Sequence, residues 1–263
     1  MPFFSIISVV FNDLDGLRRT EASVRAQTAS DLEWIVVDGA SSDGTSPYLQ
    51  SLDLPFLTWS SESDRGIYDA MNKGTARATG KYIVYLNAGD AFTDQGCLTM
   101  IRQTLENAGN PDLCYAGANY RFVAGHSRYR PPRPVDPAIW HGLPGVHQAT
   151  FYRREFLEVP PYDLQYTVSS DYYVSARCYL RGARACYLDR AVTEFMVGGT
   201  STKHANRSLL ECWRLQRDVL KMGLIPRLLS GLRRFVAHRV NFWLNSRKRR
   251  DGAMITALFR LQR

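Results

Sequence analysis

Lys81-Tyr82-Ile83-Val84-Tyr85-Leu86 runs directly into Asn87-Ala88-Gly89-Asp90. The first six residues are an almost unbroken apolar and aromatic run, which predicts a strand buried on both faces, as in a parallel sheet. Asp90 then falls just beyond the carboxyl end of that strand, where open α/β sheets bind ligands. Asn, Gly and Asp are also turn formers, so the tetrapeptide alone fits a surface turn equally well. Upstream, Ser63-Asp64-Arg65-Gly66-Ile67-Tyr68-Asp69-Ala70-Met71-Asn72-Lys73-Gly74 concentrates carboxylates and an amide near the same strand and shifts the balance toward a site.

The amino terminus repeats the design. Phe3 to Phe11 is a β-rich run that ends in Asn12-Asp13. A helix follows, capped by Asn12 or Asp13, with Leu14, Leu17 and Val24 at helical spacing. Leu32 to Val37 predicts a second buried strand, ending in the polar loop Asp38-Gly39-Ala40-Ser41-Ser42-Asp43-Gly44-Thr45. Strand, acidic loop, helix, strand, acidic loop is βαβ order and implies a parallel sheet with right-handed crossovers. Asn12, Asp38 and Asp90 then lie along one edge of that sheet.

At 263 residues the chain has room for one large domain or a domain with an appendage. No run approaches the roughly 20 apolar residues of a membrane span, and no basic leader precedes the first apolar run, which argues against a signal peptide. The five cysteines have no Cys-x-x-Cys spacing and read as reduced, mostly buried thiols of a cytosolic protein. Walker A and Gly-x-Gly-x-x-Gly patterns are absent, which removes the simplest NTPase and dehydrogenase readings. Arg130-Pro131-Pro132-Arg133-Pro134 reads as a rigid, extended connection.

Six segments carry a family resemblance: Ser5–Asn12, Gln27-Thr28, Ile35–Thr45, Asp64–Gly74, Gly80–Asp90 and Ser170-Asp171. Over roughly residues 3 to 200 the chain resembles the inverting family 2 glycosyltransferases, in particular the branch that builds bacterial surface polysaccharides. The resemblance implies an α/β fold of the GT-A type: a Rossmann-like, mostly parallel, nucleotide-sugar-binding sheet with flanking helices. It also implies hexosyl transfer from a nucleotide sugar, a UDP-sugar by preference, to a glycan or lipid-linked saccharide. The family usually carries an Asp-x-Asp or Asp-Asp metal motif after the fourth strand. Here only Asp90 of Asn87-Ala88-Gly89-Asp90 remains, and Asp38-Gly39 stands where many members have two aspartates.

The chemistry assigns roles within that frame. A departing nucleoside diphosphate calls for a hard divalent cation, Mg²⁺ or Mn²⁺, with oxygen ligands. Asp90 is the expected metal residue, and His204 is a second candidate. Asp38 and Asp64 suit hydrogen bonds from base or ribose, and Asn87 joins the donor set. Phe11 reads either as a platform for the base or as a core aromatic. Arg65 and Asn72, with Lys73, either approach the diphosphate or pair with nearby acids. By spacing alone, Asp171 in Ser169-Ser170-Asp171-Tyr172-Tyr173 is a helix cap. The resemblance makes it the general base that deprotonates the acceptor hydroxyl. His147 and Gln148 are expected to contact the acceptor, His147 having a buried structural role as its alternative.

Charge divides the chain. Residues 1–212 hold 20 basic and 23 acidic residues, whereas 213–263 hold 13 basic residues and only Asp218 and Asp251 as acids. The expected boundary is therefore a GT-A domain over 1–212 and a basic amphipathic helical extension over 213–263. Ile225, Leu228, Leu229, Leu232, Phe235, Val236, Val240 and Trp243 form an apolar stripe with arginines mostly outside it. This pattern suits an anionic membrane surface at the inner face of the cell membrane, or a stripe packed on the catalytic domain. A binding protein that has lost catalysis remains open because of the altered metal motif. Nucleic-acid binding through the tail fits less well, since Phe242 and Trp243 are the only close aromatic pair available for base stacking.

Overall fold

A computed structural model describes residues 1–122, 125–197 and 204–235. Strands β1 (Phe4–Val10), β2 (Leu32–Asp38), β3 (Leu57–Ser61) and β4 (Tyr82–Tyr85) run parallel. Helices α1 (Leu14–Arg25), α2 (Thr45–Ser51) and α3 (Ile67–Arg77) connect them in turn. The side chain of Asp13 caps α1 by accepting from Gly16 N–H at 3.0 Å. In register, Val10 faces Asp38 and Ile7 faces Tyr85, so the expected loops share one sheet edge.

Beyond β4 the sheet becomes mixed. Its order is β3-β2-β1-β4-β8-β6-β9-β5, with β7 beside β6. Here β5 is Ala91–Phe92, β6 Leu113–Arg121, β7 Ser127–Arg130, β8 Thr150–Arg153 and β9 Ala185–Met196. β8 is antiparallel to both β4 and β6, so the parallel pattern holds for the first four strands and not throughout. Helices α4 (Cys97–Asn107), the short α5 (Val135–Ala138), α6 (Ser170–Leu180) and α7 (Ala205–Asp218) complete the regular elements named so far.

Period-2 alternation divides the core between the two faces of the sheet. Ile6, Trp34, Val36 and Val84 pack with Leu17, Leu98 and Ile101 of α1 and α4. Ile7, Ile35, Val37, Ile83 and Tyr85 pack with Met71 of α3 and Val174 of α6. α3 lies so close to β1 that a Cβ on Gly74 would stand 2.5 Å from Ile7 Cγ2. A third cluster joins Ile139, Tyr166, Tyr172 and Ala176 to Cys212, Leu215 and Leu220. A boundary at residue 212 therefore falls inside α7, whose buried face packs with residues of the main domain. All five cysteines are free thiols, four of them buried.

A further helix, α8, covers 224–235. It is turned inside out. Ser230 is fully buried, accepting a hydrogen bond from Gln216 Nε2 at 2.8 Å, while Arg227 lies 4.7 Å over the Trp213 ring. Ile225, Leu228, Leu229, Leu232 and Phe235 are all exposed, Ile225 at 71% and Leu229 at 63%. Among the described residues, the expected stripe thus exists over this helix, with Ile225, Leu228, Leu229 and Leu232 facing outward. Val236, Val240 and Trp243 lie outside the described residues.

Candidate active site

The strand ends build two adjoining features. The first is a slot over Gly39. A Cβ there would come within 2.6 Å of Asp64 Oδ2 and 3.2 Å of Phe11 Cδ2, so these two side chains close over Gly39 and a larger residue would have to displace them. Phe11 is 65% exposed, which removes the core-aromatic alternative and leaves a ring face available for stacking. Asp38 is buried beneath and accepts hydrogen bonds from Ser41 N–H at 3.2 Å and from the Ser41 and Ser61 hydroxyls. The loops are cross-braced: Asn12 Oδ1 accepts from Ser42 N–H at 2.8 Å, and Asp43 accepts from Leu14 N–H at 2.9 Å.

The second feature is a cavity of about 920 Å³ lined by Asn87, Asp90, His147, Gln148 and Asp171, among others. Asp90 is buried, and burial raises its pKa to about 7. Met196 N–H donates to its Oδ1 at 3.3 Å, and the Gln148 amide and the charge of Arg19 hold the value down. Asn87 Oδ1 is buried with no hydrogen-bond partner among the described residues. An orphaned oxygen costs free energy unless something satisfies it. Together Asp90 and Asn87 offer a carboxylate and an amide oxygen on one turn. That fits Mg²⁺ or Mn²⁺ as a partial site, the other ligands being phosphate oxygens and water. Among the described residues no three His, Cys, Asp or Glu side chains form a complete metal site.

Asp171 is half-buried in the first turn of α6, and burial lifts its pKa to about 6. Tyr172 N–H donates to Oδ1 at 2.8 Å. The Tyr68 hydroxyl, which donates to the Val168 carbonyl at 3.0 Å, helps to hold the value down. The preceding turn is held by Glu211 of α7, whose buried carboxylate accepts from the backbone N–H groups of Thr167, Val168 and Ser169 at 2.8–2.9 Å. Glu211 was not legible as a site residue. Its partners lie more than 40 positions away, and one acid on an amphipathic helix carries no signal of its own.

Several expected site residues have other work. Asn72 grips both backbone groups of Tyr162, donating to its carbonyl and accepting from its N–H, each at 2.9 Å. Arg65 is exposed and ion-pairs with Asp69 at 3.1 Å. His147 sits among tyrosines, with Nδ1 3.3 Å from the Tyr152 hydroxyl, Nε2 3.0 Å from that of Tyr162, and its ring stacked on Tyr85. Burial drives its pKa down to about 3, so it is a neutral core histidine with both nitrogens engaged. Gln148 serves Asp90. His204 is exposed at the start of α7 and does not line the cavity; the Gly198–Thr202 loop before it lies outside the described residues.

With this geometry in view, comparison with known proteins is specific. The sequence model described as "Glycosyl transferase family 2" matches residues 5–166. A glycosyltransferase of Mycobacterium tuberculosis is 35% identical over 189 residues, 70% of each chain. A PGL/p-HBAD biosynthesis glycosyltransferase of Mycobacterium bovis is 30% identical over 217 residues, covering 80% of this chain and 83% of that one. The chain belongs to glycosyltransferase family 2, and it is a glycosyltransferase. In fold it resembles the GT-A enzymes. Staphylococcus aureus TarS 1–349 in complex with UDP-GlcNAc superposes with a TM-score of 0.64 at 16% identity, over 90% of this chain and 73% of that one. A Pyrobaculum calidifontis mannosyltransferase in complex with GDP-Man and Mn²⁺ superposes with a TM-score of 0.62 at 16% identity, over 91% and 75%.

Proposed function

We propose that the chain is an inverting transferase that moves a hexosyl group from a UDP-sugar to a hydroxyl of a glycan or lipid-linked saccharide at an anionic membrane surface. One observation carries the reading. A single cavity contains a carboxylate poised near neutrality, Asp171, and an oxygen-rich turn with an orphaned acceptor, Asn87 to Asp90. Asp171 takes the proton from the acceptor hydroxyl as that oxygen bonds to the anomeric carbon. The bond from that carbon to the donor's phosphate oxygen breaks, the nucleoside diphosphate leaves, and the configuration inverts. Phe11 stacks on the base, while Asp64 and Asp38 border the slot that holds it. Asp90 and Asn87, with the donor's phosphates, would hold a divalent cation, which would supply charge neutralisation for the leaving diphosphate. The UDP preference rests on the complex of the structural relative TarS with UDP-GlcNAc.

Thermal stabilisation across a panel of UDP- and GDP-sugars in Mg²⁺ or Mn²⁺ tests the donor assignment. Ligand at 100 times its Kd adds about 2.7 kcal/mol to stability. A UDP-sugar is expected to raise Tm in a metal-dependent way; no shift with any nucleotide sugar would refute the reading.

The membrane part rests on α8. Globular proteins turn an amphipathic helix's apolar face inward, and a contiguous exposed apolar stripe marks an interaction surface. Thirteen basic residues over 213–263 suit an anionic bilayer as the partner. Among the described residues no helix is long and apolar enough to cross a membrane. The full chain is expected to co-sediment with phosphatidylglycerol vesicles, less so at high salt. Ile225→Glu with Leu229→Glu should abolish that binding without lowering Tm, since both side chains are exposed. Unchanged vesicle binding by the double variant would show that the stripe is not the docking face.

A further inference from the structure

Three arginines line the cavity beside Asp171 with a fourth near them, and among the described residues none forms an ion pair. Arg130 ends β7, Arg133 lies in the proline-rich connector, and Arg233 and Arg234 sit on α8. Among the described residues no Asp or Glu forms an ion pair with any of them, although sixteen ion pairs occur elsewhere. Arg130, Arg133 and Arg234 line the cavity. Nε of Arg130 and both Nε and Nη2 of Arg234 are buried without a hydrogen-bond partner among the described residues, as is Nδ1 of neighbouring His141. Buried, unsatisfied donors on charged groups are among the costliest features a fold can carry.

The cations also feel one another. Burial first, then the charges of Arg233, Arg130 and Arg234, lowers the pKa of Arg133. Burial first, then Arg233, Arg234 and Arg133, lowers that of His141. Yet the guanidinium groups are held in place. Arg234 lies 5.3 Å over the Tyr172 ring and donates from Nη1 to Cys212 Sγ at 2.7 Å. A Cβ on Gly142 would crowd its Nη2 at 3.0 Å. Arg130 lies 5.3 Å over the Tyr120 ring, and Arg133 donates to the Leu143 carbonyl. Planar forks fixed on aromatic faces, with unmet donors at a cavity, match the oxygens of a phosphate.

We infer that Arg130, Arg133 and Arg234 form an oxyanion subsite that takes a phosphate group carried by the acceptor. The inference rests on the transferase reading above. The subsite lies on the Asp171 side of the cavity, which assigns it to the acceptor. Tyr172, under Arg234, adjoins Asp171, and the Arg234 charge acts on that carboxyl, whereas the donor's phosphates are assigned to Asn87 and Asp90. The subsite would hold a phosphate-bearing acceptor so that its hydroxyl reaches Asp171.

The test uses the full chain with inorganic phosphate as the probe, in the presence and absence of saturating UDP and Mg²⁺. Phosphate is expected to raise the wild-type Tm in both conditions. Arg130→Gln/Arg133→Gln is expected to weaken apparent phosphate affinity at least tenfold, while its Kd for UDP and its binding to phosphatidylglycerol vesicles change less than twofold. Arg133→Gln alone, at the most exposed of the three residues, serves as the variant least able to disturb folding and should show part of the loss. Three results would overturn the inference: no phosphate effect once UDP is bound, an equal loss of UDP affinity, which would make the cluster a donor site, or a parallel loss of vesicle binding, which would make it a headgroup site. If the wild type fails to bind UDP but still shows an arginine-dependent phosphate effect, the subsite stands and the donor assignment fails.

Discussion

Asp171→Asn is expected to lower the transfer rate by about 10²–10⁴, the usual worth of general-base catalysis, while donor affinity stays within a factor of two of wild type. Asn preserves the shape and can still accept from Tyr172 N–H, so the loss would be chemical. The pH profile gives an independent check. Only the ionised carboxylate is a base, and its pKa is about 6, so the wild-type rate should rise with pH through about 6 and level off above it. Stability should move the other way. The unfolded aspartate ionises near pH 3.9, so between about pH 4 and 6 the folded chain binds the extra proton and stability falls as pH rises. Asp171→Asn removes that cost and should therefore melt higher than wild type at pH 7.5. An Asn variant that loses donor affinity at an unchanged rate would make Asp171 a donor ligand or a cap.

Asp90→Asn is expected to abolish the Mg²⁺ or Mn²⁺ dependence of donor binding and to cut transfer by about 10²–10³, since charge neutralisation by a cation is worth several kcal/mol. The fold should survive. The amide oxygen can still accept from Met196 N–H, and no buried charge is left unpaired because the residue itself becomes neutral. Titration calorimetry of a UDP-sugar with and without Mn²⁺ measures the effect. A variant with the wild type's metal response and turnover would remove Asp90 from the metal site.

The parts of the fold that were legible are those where local pattern and burial agree. Phe4–Val10, Leu32–Asp38 and Tyr82–Tyr85 are buried on both faces, so their sequences are continuous apolar runs whose ends mark the site edge. Asp13 at the start of α1 follows ordinary capping chemistry. The mixed half of the sheet was not legible, because β8 slots between β4 and β6 through pairings 35 to 71 positions apart. The site divides in the same way. Asp90 and Asp171 follow strand and helix ends and reach one cavity. Asn72 and His147 occur in suggestive strings, but tertiary partners turn them into framework: Tyr162 for both, with Tyr152 and Tyr85 around the histidine. Arg130 and Arg133 looked like parts of a stiff connector, since nothing in a Pro-Pro segment says which cavity it borders. The apolar stripe of α8 was readable by its period, whereas its outward direction depends on Ser230 and Arg227 meeting Gln216 and Trp213 of the domain.

The stereochemistry of the reaction tests the central claim most directly. Proton NMR can follow a UDP-sugar in Mn²⁺-free buffer with Mg²⁺ and report the anomeric configuration of the transferred or hydrolysed sugar before mutarotation. Single displacement with Asp171 as base predicts one UDP released per sugar and a product of inverted configuration, formed at least 100-fold more slowly by Asp171→Asn, in line with the loss of a general base. A product of retained configuration, or equal donor consumption by the wild type and Asp171→Asn, would contradict it.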